Sequence, residues 1–115
     1  MGRMSRQKGK RGERQCAAEL SQLLGVPCRR GVQYAGRAAG GAEAPDVIVE
    51  ADLHIECKRT EALNVYAALH QATEDAPAGK VPLVWHRRNG KPSVVIVETS
   101  RLVELARAIA KATNG

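Results

Sequence analysis

Asp46 follows Pro45 and leads into the apolar run Val47-Ile48-Val49, and ten residues after Asp46 comes Glu56, within Ile55-Glu56-Cys57-Lys58. Two carboxylates and an ammonium group at this spacing suit one kind of chemistry. Hard carboxylate oxygens hold Mg²⁺, with Mn²⁺ as a substitute, and an ion so held polarises a phosphodiester and lowers the pKa of a bound water. Lys58 beside it can orient that water or offset charge developing on the phosphate. As a general base the lysine would first need its pKa lowered by burial or by the ion, so the orienting and electrostatic role suits it better. The backbone carbonyl of Cys57 is a further candidate ligand.

This chemistry requires both carboxylates at one site, which constrains the elements that carry them. Side chains alternate along a strand, so His54, Glu56 and Lys58 share one face while Ile55 and Cys57 point to an apolar side. Residues 47–49 and 53–58 are strand signals separated only by Glu50, Ala51 and Asp52, which predicts an antiparallel hairpin. Asp46 then lies across from Glu56 or one step away, and a small bulge would merge the two carboxylates into one site. Glu13 belongs to a helix predicted over residues 12–24, where Cys16, Ala17, Leu20, Leu23 and Leu24 recur at helical spacing and Gly25 supplies the stop. Lying three, four and seven residues before Cys16, Ala17 and Leu20, Glu13 falls on the inward face. It is a candidate to join the metal site, the alternative being a first-turn acid favoured by the helix dipole.

The rest of the chain reads as scaffold. Residues 26–34 mix apolar and basic side chains as a strand would, and residues 35–44 are a loop dominated by Gly and Ala. A short helix is expected over 67–76, ended by Pro77 and Gly79. Strands over 81–88 and 91–97 flank Asn89-Gly90, the dipeptide suited to a tight hairpin turn. Thr99 or Ser100 can cap a last helix whose apolar stripe is Leu102, Leu105, Ala106, Ile109 and Ala110. The order predicts an α/β fold: a single domain with a central mixed β-sheet flanked by helices. His54, His70 and His86 are scattered, which argues for solvated or packing roles, and Trp85 on a strand reads as core or interface. Arg87, Arg88 and Lys91 around the turn read as a solvated tip.

Composition points to the partner. The 115 residues carry 18 Lys and Arg against 12 Asp and Glu, a formal charge of +6, with a pI near 9.7. Such a chain favours polyanions through phosphate contacts and counterion release. Arg3, Arg6, Lys8, Lys10, Arg11 and Arg14 crowd the first fourteen residues, with Glu13 the sole acid among them. Residues 1–11 read as a basic flexible arm in front of a domain over 12–115. A chain this small, with no Phe for its core, gains from pairing with a copy of itself. Cys16, Cys28 and Cys57 show no CxxC spacing, so free thiols in a reducing compartment are expected. No apolar run has the length of a membrane span and no signal-peptide pattern leads the chain. The expected location is the cytoplasm, including that of a cell infected by a virus encoding the protein.

These residues resemble the PD-(D/E)XK nuclease superfamily, in which a strand-borne Asp and an (Asp/Glu)-x-Lys pair bind the metal. Within it they are most similar to archaeal-type Holliday junction resolvases, also found in viruses. The likeness starts at Lys8-Gly9 followed by Glu13, passes Arg29 or Arg30 before the Gly-rich loop, and continues through Pro45-Asp46-Val47-Ile48 and Ile55-Glu56-Cys57-Lys58. It reaches Tyr66 with Gln71 five residues later and extends to about Val97. It implies a restriction-endonuclease-like domain with Glu13, Asp46, Glu56 and Lys58 as the catalytic set and Gln71 lining the site. Glu13, Asp46, Glu56 and Cys57 are then the metal ligands, and Arg3, Arg6, Lys8, Lys10, Arg11, Arg29, Arg30 and Arg37 the DNA contacts. The implied activity is Mg²⁺-dependent nicking of four-way DNA junctions by a homodimer, whose two-fold symmetry matches paired nicks. Such resolvases often place a serine in the Gly-rich loop, whereas Gly36-Arg37-Ala38-Ala39-Gly40-Gly41 has no hydroxyl. Arg37 can contact phosphate in its place. The rival readings are a related nuclease acting on linear, flapped or modified DNA, and a non-catalytic nucleic-acid binder on the same fold.

Overall fold

Alternation along the central strand decides how the molecule is layered. The computed structural model describes residues 2–31 and 46–114, with side chains from Arg11 onward. Its elements are α1 (Gly2–Leu24), β1 (Cys28–Arg30), β2 (Val47–Val49), β3 (Leu53–Arg59), α2 (Val65–Asp75), β4 (Val81–Arg87), β5 (Val94–Ile96) and α3 (Leu102–Asn114), the last entered through a 3₁₀ turn at Thr99–Arg101. The five strands form one sheet in the order β1-β2-β3-β4-β5. β3 and β4 run parallel and the other pairs antiparallel. A parallel pair needs a crossover connection, and α2 provides it.

On one face Leu53 and Ile55 of β3 and Val81, Leu83 and Trp85 of β4 pack with Val47 and Val49 of β2 under Cys16, Ala17 and Leu20 of α1 and Ala108 of α3. On the other, Val84 packs with Ala68 and Ala72 of α2. The expected mixed sheet flanked by helices is therefore the observed one, and Trp85 is core. Its indole Nε1 donates to Oε1 of Glu19 at 2.8 Å, and the Ser93 hydroxyl donates to the same oxygen. That carboxylate ties α1 to β4 and to the segment leading into β5.

Several boundaries differ from expectation. The first helix begins at Gly2 rather than residue 12. Lys, Arg, Gln and Met are good helix formers, and their run continues the helix as a polar extension. Of the strand expected over 26–34, Cys28–Arg30 is paired, while residues 32–34 and the loop at 35–44 lie outside the described residues. α2 starts two residues early because Asn64 caps it, its Oδ1 accepting from the amide of Ala67 at 3.1 Å.

The β4–β5 hairpin exists, but not in the register of a two-residue turn. Arg88 O accepts from Lys91 N at 3.3 Å around Asn89-Gly90, and Gly90 has φ +70°. Pairing resumes only at His86 with Val94, because Pro92 has no amide to give the ladder. The last helix is also rotated from the expected stripe. Ala108 is buried and Leu105 and Ile109 are partly covered, whereas Leu102, Ala106 and Ala110 face outward. Neither Thr99 nor Ser100 caps that helix; Glu98 stands before the 3₁₀ turn without a side-chain cap bond.

At Gly12, α1 lies close against β3. A Cβ there would sit 2.6 Å from Cβ and 3.1 Å from Cγ of Arg59, and 3.6 Å from Sγ of Cys57. The obstructing atoms are the root of a strand side chain, so the helix itself would have to move. Gly12→Ala gains up to about 1 kcal/mol of helix propensity, against about 1–3 kcal/mol for overpacking. We expect Gly12→Ala to lower the urea midpoint and Gly12→Val to lower it further; unchanged midpoints would contradict the close approach.

Candidate active site

The hairpin places the two motif carboxylates side by side. β2 pairs with β3 through Val47 and Ile55, so extending that register by one residue sets Asp46 opposite Glu56. Asp46 is held from both sides. Its carbonyl accepts from Gly31 N at 2.9 Å, and its Oδ2 accepts from the backbone N–H of Cys57 at 2.8 Å. The second bond fastens the side chain to the middle residue of Glu56-Cys57-Lys58.

Removal from water pushes the Asp46 carboxyl up to about 7, with the nearby Glu56 and Glu13 carboxylates adding to the rise and the Cys57 amide opposing it. The shift expresses a conflict between acids gathered in a partly buried place. Bringing a divalent cation among them resolves that conflict by supplying the opposite charge.

Glu56 is 6% exposed and His54 2%. His54 Nε2 lies 3.2 Å from Oε1 of Glu56. Sequence alternation puts these two residues on one face, and of the solvated or packing roles open to His54 the structure shows the buried one. Further along the strand, Lys58 Nζ donates to Oε1 of Gln71 at 3.5 Å, so α2 supplies a polar side chain to the site. Glu13 arrives from α1, and its Oε1 lies 3.9 Å from a guanidinium nitrogen of Arg30 on β1.

The structure thus gathers Glu13, Asp46 and Glu56, with Lys58 and Gln71 alongside. Among the described residues no group of three or more His, Cys, Asp or Glu side chains is placed to hold a metal ion, so Glu13 does not join Asp46 and Glu56 as a third direct ligand. Two carboxylates fit Mg²⁺ nonetheless, since that ion keeps several waters and is commonly held by one or two carboxylates together with substrate phosphate. Asp46 and Glu56 are the residues able to hold it, and Glu13 can act through water.

Of the expected DNA contacts, Arg11 and Arg29 are exposed and Arg30 faces Glu13. Arg3, Arg6, Lys8 and Lys10 lie on α1, and Arg37, like Pro45, lies outside the described residues. A second basic group is fixed near Lys58, because β3 and β4 run parallel and Arg59 pairs with Arg87. Arg59 donates to Gln15 Oε1 at 3.2 Å and to the Arg87 carbonyl at 3.3 Å. Asn89 N donates to Glu61 Oε2 at 2.7 Å, pinning the tip that presents Arg88 and Lys91. The tip is therefore a braced part of the rim, which its sequence alone does not reveal.

A mixed sheet with an aspartate at the start of one strand and Glu-x-Lys on its neighbour, helices on both faces, is the frame of a restriction-endonuclease-like domain. Residues 4–114 match the family described as "Phage putative PDDEXK endonuclease", and the chain belongs to that family. It is accordingly a nuclease of the PD-(D/E)XK superfamily, with DNA as the implied substrate. No curated protein and no solved structure matches the chain. No helix among the described residues is long and apolar enough to cross a membrane.

The raised carboxyl has a measurable consequence. The folded, cation-free chain keeps the Asp46 proton to about pH 7, whereas the unfolded chain loses it near pH 4, as aspartate ordinarily does. The folded state then binds more protons between those values. Its contribution to stability is full below about pH 4 and is lost as pH rises through about 7. Thermal unfolding in chelator is expected to show a lower Tm at about pH 8 than at about pH 5, and Asp46→Asn to reduce that difference. An identical pH response in wild type and variant would contradict the buried, crowded aspartate.

Proposed function

We propose that the protein is a Mg²⁺-dependent endonuclease that nicks branched DNA, specifically four-way junctions, as a homodimer. The observation that carries the chemistry is the pairing of Asp46 with Glu56 across the β2–β3 hairpin, with Lys58 next on the same face of β3. When bound, the divalent ion, Mg²⁺ or Mn²⁺, supplies Lewis acidity toward the scissile phosphate and makes a bound water more acidic.

Asp46 and Glu56 would hold that ion. Lys58, steadied by Gln71, directs the attacking water and offsets charge on the phosphoryl oxygens. Glu13 would act through water from α1, and the carbonyl of Cys57 would be the remaining ligand of the set. Arg11, Arg29 and Arg30, with Arg3, Arg6, Lys8 and Lys10 of α1 and with Arg37, neutralise the DNA backbone.

Preference for a junction is supported by the long resemblance from Lys8 to about Val97 and by the match between a two-fold protein and paired nicks. For the homodimer, the support is apolar surface around β5, which is an edge of the sheet. Val94 and Val95 of β5 are exposed there, and Leu102 and Val103 are exposed at the start of α3. Tyr66, 85% exposed, adds an aromatic group from the start of α2.

The test compares wild type, Glu56→Ala and Lys58→Ala on a synthetic four-way junction and on matched linear duplex, with Mg²⁺ and with chelator. Wild type is expected to nick the junction symmetrically, only with the metal. Glu56→Ala should be inactive, and Lys58→Ala slower by about 10²-fold or more in kcat. Equal cutting of both substrates would overturn the junction reading in favour of a nuclease for other DNA. Salt-sensitive binding without any cutting would make the chain a non-catalytic binder.

A further inference from the structure

His54 and Glu56 are the two polar side chains buried among the described residues, and they are in contact with each other at 3.2 Å. An imidazole withdrawn from water costs free energy unless hydrogen-bonded, and an apolar side chain would fill the same place on β3 without that cost. Its neighbour in the sheet is Pro82, and the neighbour of Glu56 is Val84; neither offers a side-chain donor. A carboxylate oxygen accepts, so Nε2 of His54 carries the hydrogen of this bond.

We propose that His54 is a positioning residue of the cation site: its Nε2–H holds Oε1 of Glu56 and leaves Oε2 for the ion that Glu56 shares with Asp46. The inference rests on the reading of Asp46 and Glu56 as cation ligands. Two groups on one strand, two residues apart, keep a constant spacing because the strand fixes both backbones. The hydrogen bond then removes the rotation by which a carboxylate would exchange its two oxygens. Partners of this kind, which touch a ligand and not the ion, typically set metal affinity or activity by about 10–100-fold.

The test needs no DNA. Mn²⁺ binding to the full chain is measured by the electron paramagnetic resonance of free Mn²⁺ for wild type, His54→Gln, His54→Asn and His54→Phe, each checked for a cooperative melt in chelator. Glutamine carries its amide nitrogen at a reach close to that of imidazole Nε2, and asparagine falls one methylene short. His54→Gln is expected to bind Mn²⁺ close to wild type, and His54→Asn and His54→Phe about 10–100-fold more weakly. Cleavage should lose kcat in the same two variants, recovering at high Mn²⁺, with KM for DNA unchanged. If His54→Phe does not fold, His54→Asn decides. Wild-type affinity in the asparagine variant, or a loss in the glutamine variant as large as in phenylalanine, overturns the role of His54 alone. Failure of wild type to bind Mn²⁺ overturns the ligand reading of Asp46 and Glu56, and this inference with it.

Discussion

Two carboxylates side by side in a partly buried place repel each other, and neither readily gives up the water that would stabilise its charge. The fold keeps Asp46 and Glu56 together regardless, because the register of the β2–β3 hairpin leaves them no alternative. Asp46 cannot swing away while its Oδ2 is bonded to the Cys57 amide, and Glu56 is enclosed beside His54. Left without a counter-charge, the pair responds by holding a proton on Asp46. A hairpin serving only as scaffold would gain by replacing either acid with an apolar residue, as buried ionic groups often allow.

The remaining elements act as supports for that hairpin. α1 closes on the end of β3 at Gly12 and is anchored farther along by Glu19, which takes hydrogen bonds from Trp85 and Ser93. The close approach at Gly12 sets where the next residue, Glu13, meets the site. α2 covers the opposite face through the small residues Ala68 and Ala72, which lets it lie low enough for Gln71 to reach Lys58. The parallel β3–β4 pair brings Arg59 and Arg87 to the same level just past Lys58, so the sheet's connectivity also builds a basic rim next to the acids. Membership of a phage nuclease family agrees with a chain that concentrates acid at one hairpin and base around it.

The site was more legible in the sequence than its surroundings were. Period-two alternation and the short Glu50-Ala51-Asp52 connection are local features, so the hairpin and the sharing of a face by Glu56 and Lys58 follow from them directly. Glu13 was readable because Cys16, Ala17 and Leu20 mark the inward side of its helix. What escaped depends on packing between distant segments. The sequence left His54 between a solvated and a packing role, and the bracing of the Asn89-Gly90 tip needs Glu61 and Arg59 beside it. The rotated face of α3 follows from which edge of that helix reaches the sheet, and Ala108 fits closely there. Pro92 could have warned that the β4–β5 pairing would not run up to the turn, since a proline cannot donate to the ladder.

We propose that Asp46 and Glu56 together hold one divalent ion. A crystal grown with Mn²⁺, with anomalous scattering collected at the manganese edge, tests it directly. One strong peak is expected within about 2–2.6 Å of an oxygen from each carboxylate. A peak bound elsewhere, or to only one of the two residues with the other turned away, would contradict it.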